Sequence, residues 1–508
     1  SPSAVGRVTK LFKLSAIALA TLGLSQQANA ITAPFNGIVG NNPNKLVAVG
    51  GGTALDTGSV AIGGGTTADH GGVAIGRDVN ARGRDSAALG YAADATGHWS
   101  SALGTRTSAS GDYASAFGAS ASAVGQFALA AGFQATAQAN GTAIGSGSQA
   151  SAVGATALGN MALASGQNSV ANGIATKASG LKAIAIGSDA NASGSEASAI
   201  GSGANAAGVN ATALGTSANA SGANATAIGL GSLASKENTI ALGTASNAAN
   251  TSAIAIGQNA NVTGNYAAAL GVNTVVGSDY ASAFGYNAQA LSGNALALGA
   301  NATASQNGAI AQGAYATASA QGGLAVGVRA NATANDTTAI GRQAMASGMN
   351  ATAVGANATA SGANASALGS LANASGANAT AIGLGSLASN QNTIAIGTNT
   401  GVSNVGGIAI GTGNTHGAIN AMAMGSGATL GGYSTNSIAF GVGANVNSGV
   451  GDLSNDAIAF GTNATAKGNS TIAIGNASTA NKTNAMAMGL SSVASGVNAT
   501  ALGVGAQA

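Results

Sequence analysis

The fold is decided by the fifteen residues Gly187–Gly201, which run G-S-D-A-N-A-S-G-S-E-A-S-A-I-G. The closing phrase of this stretch, an Ala, then usually a large apolar residue, then Gly, recurs thirty-three times over positions 50–503. Over positions 145–425, twenty consecutive intervals are each 14 residues long. A repeat this short cannot bury its own apolar side unless neighbouring repeats stack on it. The period therefore predicts an all-β solenoid, with one coil for each repeat.

Each coil is predicted to contain two short strands. The four residues before the Gly, A-I-A-I at 183–186, are apolar at both alternate positions, which is typical of a strand covered on both faces. The four residues A-N-A-S at 190–193 alternate between apolar and polar, which is typical of a strand with one solvated face. Gly187 and Gly194 fall at two corners, where a positive φ or a tight bend is needed.

The outer face of the A-I-A-I strand needs a cover. A cyclic homo-oligomer around the solenoid axis would supply it, and a monomeric solenoid with an exposed Ala-rich face is the alternative. We expect the large residue before the Gly to fill the lumen and the preceding Ala to face partner chains. The sequence pattern itself does not determine which of the two alternating positions faces the lumen. The residues assigned to the repeat core are Ile186, Gly187, Ile228, Gly229, Ile256, Gly257, Ile382, Gly383, Ile410 and Gly411.

The composition argues against several classes of function. Charged residues are 6% of the chain and Cys is absent, which excludes disulfides and thiolate metal sites. After the first thirty residues, 12 basic and 13 acidic residues nearly balance, so no nucleic-acid groove is expected. The histidines, His70, His98 and His416, are scattered, with no carboxylate or Ser beside them at a recurring spacing. We therefore expect no metal, no cofactor and no enzymatic activity.

The first thirty residues differ from the rest. Three basic residues precede an apolar stretch over 14–24, and a small-x-small pattern of the kind that signal peptidases accept follows it. This order predicts export, and a surface amphipathic helix is the alternative. The assigned segments are a signal peptide over 1–30, cleavage positions Ala28, Ala30 and Ile31, and a lead-in over 31–45.

The repeat resembles the head repeats of trimeric autotransporter adhesins, the YadA-like heads of Gram-negative bacteria. That repeat has the form N-S-V-A-I-G-x-x-S-x-A-x-G, and close matches are N-A-T-A-I-G at 224–229 and N-T-I-A-L-G at 238–243. The resemblance covers about residues 46–505. It implies a left-handed parallel β-roll of about 33 fourteen-residue coils, wound as a homotrimer. It also implies display on the cell surface, with extracellular matrix or other cells as the partner.

The chain departs from this family at its C-terminal end. Family members continue into a heptad stalk and a barrel that anchors them in the outer membrane, whereas residues 506–508 are still in the repeat register. The expectation is either a passenger fragment whose anchor is absent from this chain or a head-only relative that is held on the surface in another way. A spacer, surface-layer or filament protein without a dedicated ligand is the main alternative. An ice-binding solenoid is a minor one, because the outward residues of the second strand, such as Lys177 and Leu233, vary too much for flat Thr rows.

Breaks in the regularity supply the candidate sites. Insertions at 426–441 and 442–461 lengthen two coils, and they are predicted to be loops that serve either recognition or no function. Asn172 and Gln312 replace the large apolar residue before the Gly, where they are expected to pair locally with backbone and to destabilise mildly. A cluster of charged and aromatic residues near the N-terminal end matches the residue types that dominate interfaces. The candidate ligand contacts are Arg77, Arg82, Arg84, Tyr91, Trp99, Arg106, Tyr113 and Tyr433.

Overall fold

The computed structural model describes residues 47–446 and 453–508. The predicted signal peptide, its cleavage positions and the lead-in lie outside the described residues, as does 447–452 in the second insertion. The chain divides into two compact units, Ser1–Ser252 and Ala253–Ala508. Within the described part, each unit consists of strands and turns, and neither contains a helix that could cross a membrane.

Every coil contains one long and one short strand, placed relative to the anchoring Gly of the repeat. The long strand occupies the three residues before that Gly, from Val47–Val49 to Thr500–Leu502, and extends to five residues at Val73–Arg77 and Ala87–Tyr91. The short strand occupies the fourth and fifth residues after it, except for the first, Thr53–Ala54. The anchoring glycines are 50, 63, 76, 90, 104, 118, 132 and 145, then every fourteenth residue to 425, then 441, 461, 475, 489 and 503.

Within each unit, the long strands form one parallel sheet and the short strands form another. Ala185 pairs with Ala199 in the long-strand sheet, and Ala192 pairs with Ala206 in the short-strand sheet, so the register shifts by one whole repeat. The backbone N–H of Ile184 donates to the carbonyl of Ala197 at 2.8 Å. Identical residues therefore stack in rows along each unit, and the predicted parallel β-solenoid is confirmed.

The interior of the coil consists of four small residues. Ala185 lies in the long strand and Ala192 in the short strand, Ala183 and Ala190 directly precede these strands, and all four are fully buried. The largest completely buried apolar side chains are valines, such as Val262. The two sheets are thus so close that the lumen is filled by methyl groups, at the packing density of protein interiors.

The prediction that the large residue before the anchoring Gly fills the lumen is wrong. The Ala two residues before the anchoring Gly faces the lumen, and the large residue directly before the Gly points outward. Ile186 is 37% exposed in the single chain. The isoleucines assigned to the repeat core therefore lie on the outer face, because a lumen filled by four Ala side chains has no room for an Ile. The assigned glycines do lie at the coil corners, as Gly187 shows with a φ of 126°.

Two corners join the strands, and both turn through a left-handed residue. In the coil of Gly187, this residue is Asp189 at the first corner, after the long strand, and Glu196 at the second corner, after the short strand, with φ of 56° and 58°. Asn occupies this position in many coils, because its side chain tolerates the left-handed region best among non-Gly residues. Gly194 has no positive φ, but a Cβ there would overlap the backbone of Gly208 in the next coil.

Both insertions lie between a short strand and the next long strand, which places them at the second corner. The first follows Thr429–Leu430 and precedes Ile438–Phe440. Within it, the Ser434 hydroxyl donates to the carbonyl of Val446 at 3.0 Å, and the Ser437 hydroxyl donates to that of Ser454 at 2.7 Å. The two longer coils are therefore tied to each other by buried serine hydroxyls.

Gly397→Ala should destabilise the fold more than Gly401→Ala, although the two positions are only four residues apart within one coil. A Cβ on Gly397 overlaps the carbonyl oxygen of Gly411, and φ there is 135°, whereas a Cβ on Gly401 meets nothing within 4 Å. Backbone strain of this kind costs about 1–3 kcal/mol, while Gly→Ala at an unstrained position is neutral or slightly stabilising. Thermal unfolding followed by circular dichroism measures the difference, and equal shifts would contradict the assigned role of the anchoring Gly.

Candidate functional site

The outer face of the long-strand sheet carries a row of large, mostly apolar side chains in each unit. Its two rows are formed by the residues one and three positions before each anchoring Gly. In the coil of Gly187 these are Ile184 and Ile186, each 37% exposed. In the second unit, Phe440 and Phe460 from successive coils stack on this face with ring centroids 4.8 Å apart. An apolar row that recurs in nearly every coil is typical of an interface rather than of a free surface.

Asn172 and Gln312 interrupt this apolar face. Both follow a fully buried Ala, and both side chains are exposed on the outside of the long strand. Asn172 pairs in register with Leu158 on one side and Ile186 on the other. Neither amide is inside the lumen. These two residues therefore do not disturb the packing of the coil interior, and any loss of stability would concern contacts made by the outer face.

At the second corner of the first unit, aromatic residues form a stacked ladder. The rings of Trp99 and Tyr113 lie 4.8 Å apart, and those of Tyr113 and Phe127 lie 5.0 Å apart, each pair inclined by 13°. The guanidinium of Arg84 lies 5.7 Å from the Trp99 ring centroid, at the other end of the ladder. Three of the predicted contact residues are thus brought together. Phe127 was missed, although its spacing of 14 from Tyr113 could have revealed it.

The other predicted contacts lie elsewhere. Arg77 and Tyr91 meet at the first corner, where the guanidinium lies 5.7 Å from the ring centroid, and Arg106 occupies the same corner in the following coil. Arg82 directly follows a short strand, and Tyr433 belongs to the second unit. The eight candidates therefore do not form one site, but are distributed over both corners of the coil.

The aromatic ladder sits on strained backbone. Trp99, Tyr113 and Phe127 have φ of 56°, 60° and 58°, in a region that costs bulky residues roughly 1 kcal/mol each. Side chains of the following coils secure this corner. The His98 Nδ1 accepts the backbone N–H of Arg84 at 3.0 Å, and the Asp112 Oδ1 accepts that of His98 at 2.9 Å. The same left-handed φ recurs at the corners of other coils, so it belongs to the fold and does not by itself mark a functional site.

Asp56, Asp69 and His70 are the one group of potential metal ligands among the described residues. The His70 Nδ1 lies 3.1 Å from Asp56 Oδ2, and its Nε2 lies 3.6 Å from Asp69 Oδ2. Hydrogen bonds from the Thr57 backbone and from His70 lower the pKa of Asp56 below its ordinary 3.8. The two ring nitrogens of His70 thus contact different carboxylates, and the imidazole lies between Asp56 and Asp69. A metal ion would have to displace one of these contacts.

Asp94 is the one ionisable side chain whose position in the described structure raises its pKa. It lies on a short strand, in register between Asn80 and Ser108. Burial raises the pKa of its carboxyl above the ordinary 3.8, against the opposing charge of Arg82. Its Oδ1 is buried and makes no hydrogen bond to any described residue. In other coils, an Asn at this position bonds along the row, as when Asn191 Nδ2 donates to Asn205 Oδ1 at 2.9 Å.

Asp94→Asn should stabilise the fold at neutral pH, and the gain should shrink in acid. The pKa of Asp94 is raised in the folded state, so its ionised carboxylate lowers the free energy of unfolding at neutral pH. As the pH falls, the carboxylate is protonated and this loss of stability disappears. We expect a gain of about 1 kcal/mol at pH 7, the usual cost of an unpaired buried polar atom. Urea unfolding at pH 7 and in the range just above 3.8 measures it. A gain equal at both pH values, or one shared by the exposed control Glu237→Gln, would contradict the prediction.

Comparison with known proteins places this repeat in a family. The model of the YadA head domain repeat (2 copies) matches the chain in twenty overlapping segments, which cover most of 81–414 and also 454–478 and 480–506. A search of curated proteins found no match. The matched segments cover more than half of the chain and coincide with the regular coils of both units. The chain therefore belongs to the family of trimeric autotransporter adhesin head domains.

Proposed function

We propose that this chain is the head of a surface adhesin, in which three copies wind together as a left-handed β-roll and attach a Gram-negative cell to extracellular matrix or other cells. The observation that supports the proposal most strongly is the apolar outer face of the long-strand sheet. Membership of the adhesin family adds to it. The proposed route to the surface is export directed by residues 1–30.

The trimer follows from the need to cover that face. Ile240 and Leu242 are 38% and 40% exposed in the single chain, and equivalent pairs recur along both units. Full burial of one such side chain is worth roughly 1.5–3 kcal/mol, and each coil would complete only part of that burial. The gain is small for one coil but is repeated in every coil. Closed cyclic symmetry lets three identical faces cover one another without leaving an open end.

The proposed mode of adhesion is multivalent. The described structure has corners that repeat every coil, and its charged and aromatic residues are spread over both of them. Each contact would be weak. Many contacts on three chains would raise the effective affinity far above that of one contact, because later contacts form intramolecularly.

A spacer without a dedicated ligand is the second candidate, and one observation favours it. Residues 222–244 nearly duplicate 376–398, at an offset of 154 residues, which is eleven coils in phase. Copying blocks of coils adds length without adding a unique surface. The two functions differ in whether the loss of coils weakens attachment or only shortens the molecule.

The double variant Ile184→Asp, Ile186→Asp should weaken or abolish the trimer. Two carboxylates on the long-strand face would be buried against the partner chains without cations, which costs several kcal/mol for each charge. Sedimentation of the wild-type chain should show three chains per particle, and the variant should shift towards one.

The control for this experiment is Ser193→Asp, which adds a charge at an exposed position directly after the short strand of the same coil. It should leave the particle at three chains. A monomeric wild type, or a trimer indifferent to both isoleucine substitutions, would contradict the assigned interface.

Deletion of residues 230–383 should weaken adhesion while preserving the fold. The deletion removes 154 residues and joins Gly229 to Leu384, which restores the same local sequence, G-L-G-S-L-A-S. Attachment of coated beads to matrix proteins and to cultured cells measures adhesion, and circular dichroism checks the fold. Distributed recognition predicts a loss of about threefold or more in bound beads, as expected when multivalent contacts are removed. Unchanged adhesion of the folded deletion variant would show that the deleted coils are spacers.

A further inference from the structure

The phrase D-Y-A-S-A-F-G occurs twice in the chain, at Asp112–Gly118 and at Asp279–Gly285. Each copy places a Tyr at the second corner, one coil after another aromatic residue. In the first unit, the Tyr113 ring stacks on Trp99, with centroids 4.8 Å apart. In the second unit, the rings of Tyr266 and Tyr280 lie 5.5 Å apart and are inclined by only 6°. Each unit therefore contains such a pair of stacked aromatic rings at the second corner, which we call the aromatic edge: Trp99 with Tyr113, and Tyr266 with Tyr280.

The Asp of the phrase is secured in both copies by the preceding coil. Asp279 Oδ1 accepts the backbone N–H of Asn265 at 2.8 Å and its side-chain Nδ2 at 3.1 Å. Asp112 Oδ1 accepts the backbone N–H of His98 at 2.9 Å. The carboxylate is thus held in place directly beside the aromatic pair, and both Tyr266 and Tyr280 are open to solvent, at 58% and 62% exposure.

In the first copy, the chain's own arginine occupies the aromatic edge. The Arg84 guanidinium lies 5.7 Å from the Trp99 ring centroid. The same pairing recurs in the second unit at the first corner, where the Arg329 guanidinium lies 5.8 Å from the ring of Tyr315. Contacts between a guanidinium and an aromatic ring therefore occur at both corners of this fold.

The second copy has no such cation. Within the described structure, neither Tyr266 nor Tyr280 has a cationic group over its ring, and Asp279 forms no ion pair. Asp279 is the only charged residue between Glu237 and Arg329 in the sequence. The edge thus presents two aromatic rings and a fixed carboxylate without an internal cation to balance them.

We propose that Tyr266, Asp279 and Tyr280 form a binding site for an organic cation supplied by a partner. The ring faces attract a cation through their quadrupole, and the carboxylate adds a direct charge interaction. A planar guanidinium suits the site best, since it stacks on rings as well as pairing with carboxylates. The inference rests on the proposed adhesin function, because it names the chemical group that one contact of the head recognises.

Two sources could supply the cation: arginine side chains on a protein, or the quaternary ammonium of a lipid headgroup. The test therefore uses two probes with the full chain, an immobilised hexa-arginine peptide and phosphatidylcholine vesicles. Binding is measured by biolayer interferometry for the peptide and by co-sedimentation for the vesicles. We expect the chain to bind the peptide, and added salt to weaken that binding because the site is exposed.

The test variants are Tyr266→Asn with Tyr280→Asn, and separately Asp279→Asn. Asn already occupies this corner position in Asn294, with a φ of 55°, so the double variant keeps a favourable backbone residue. Asn469 Oδ1 accepts the backbone N–H of Asn455 at 3.0 Å, at the position equivalent to Asp279, so the amide can replace the carboxylate as an acceptor. The matched control is Tyr286→Asn, which removes a 57% exposed Tyr at the first corner of the same unit.

Each test variant should weaken peptide binding by about threefold or more, as expected for an exposed cation–π contact or a surface charge pair, and the control should not. Binding to vesicles alone, lost in the same variants, would keep the site and assign the lipid headgroup as its source. Absence of binding to both probes, or equal binding by all variants, would overturn the inference. Bead adhesion measured in parallel separates the two proposals, because normal adhesion by the non-binding variants leaves the adhesin function intact.

Discussion

The width of the coil interior is the constraint on which the structure depends. Four small side chains, such as Ala183, Ala185, Ala190 and Ala192, fill the space between the two sheets. Any larger apolar residue must therefore lie outside, and the long strand places such a residue outward in almost every coil. Burial within one chain is modest as a result, since Ala removes little apolar area from water. Hydrogen bonds along the two ladders must therefore supply much of the remaining stability of the single chain.

The period of the sequence was sufficient to predict the coil, its two strands and its corners, because spacing alone determines which residues stack. It did not predict which parity faces inward. We assigned Ile186 to the lumen by the usual rule that large apolar residues lie inside, and that rule fails where two sheets are separated only by methyl groups. Apolar residues do occupy both sides of the strand, whereas a cover for its outer side stays a prediction.

Much of the candidate site could have been found by aligning the coils with one another. Trp99, Tyr113 and Phe127 are 14 residues apart, as are Asp56 and His70, and that spacing is the one that brings side chains into contact. Scanning along the chain groups Arg77 with Arg84, although they belong to opposite corners. The charge environment of Tyr266 and Tyr280 is likewise visible only when neighbouring coils are read together.

The left-handed residues divide each coil into two similar halves. Asp189 and Glu196 are seven residues apart and share the same φ, and the halves G-S-D-A-N-A-S and G-S-E-A-S-A-I place Ala at the same two positions. The backbone of a coil is therefore close to a doubled heptapeptide with local pseudo-twofold symmetry. Asn191 and Ser193 make the outer face of one half polar, whereas Ser198 and Ile200 occupy the same positions in the other half, where large apolar residues recur. The polar or apolar character of each outer face can thus change by substitution at two positions per half, while the positive φ at Gly187, absent at Gly194, still distinguishes the two corners.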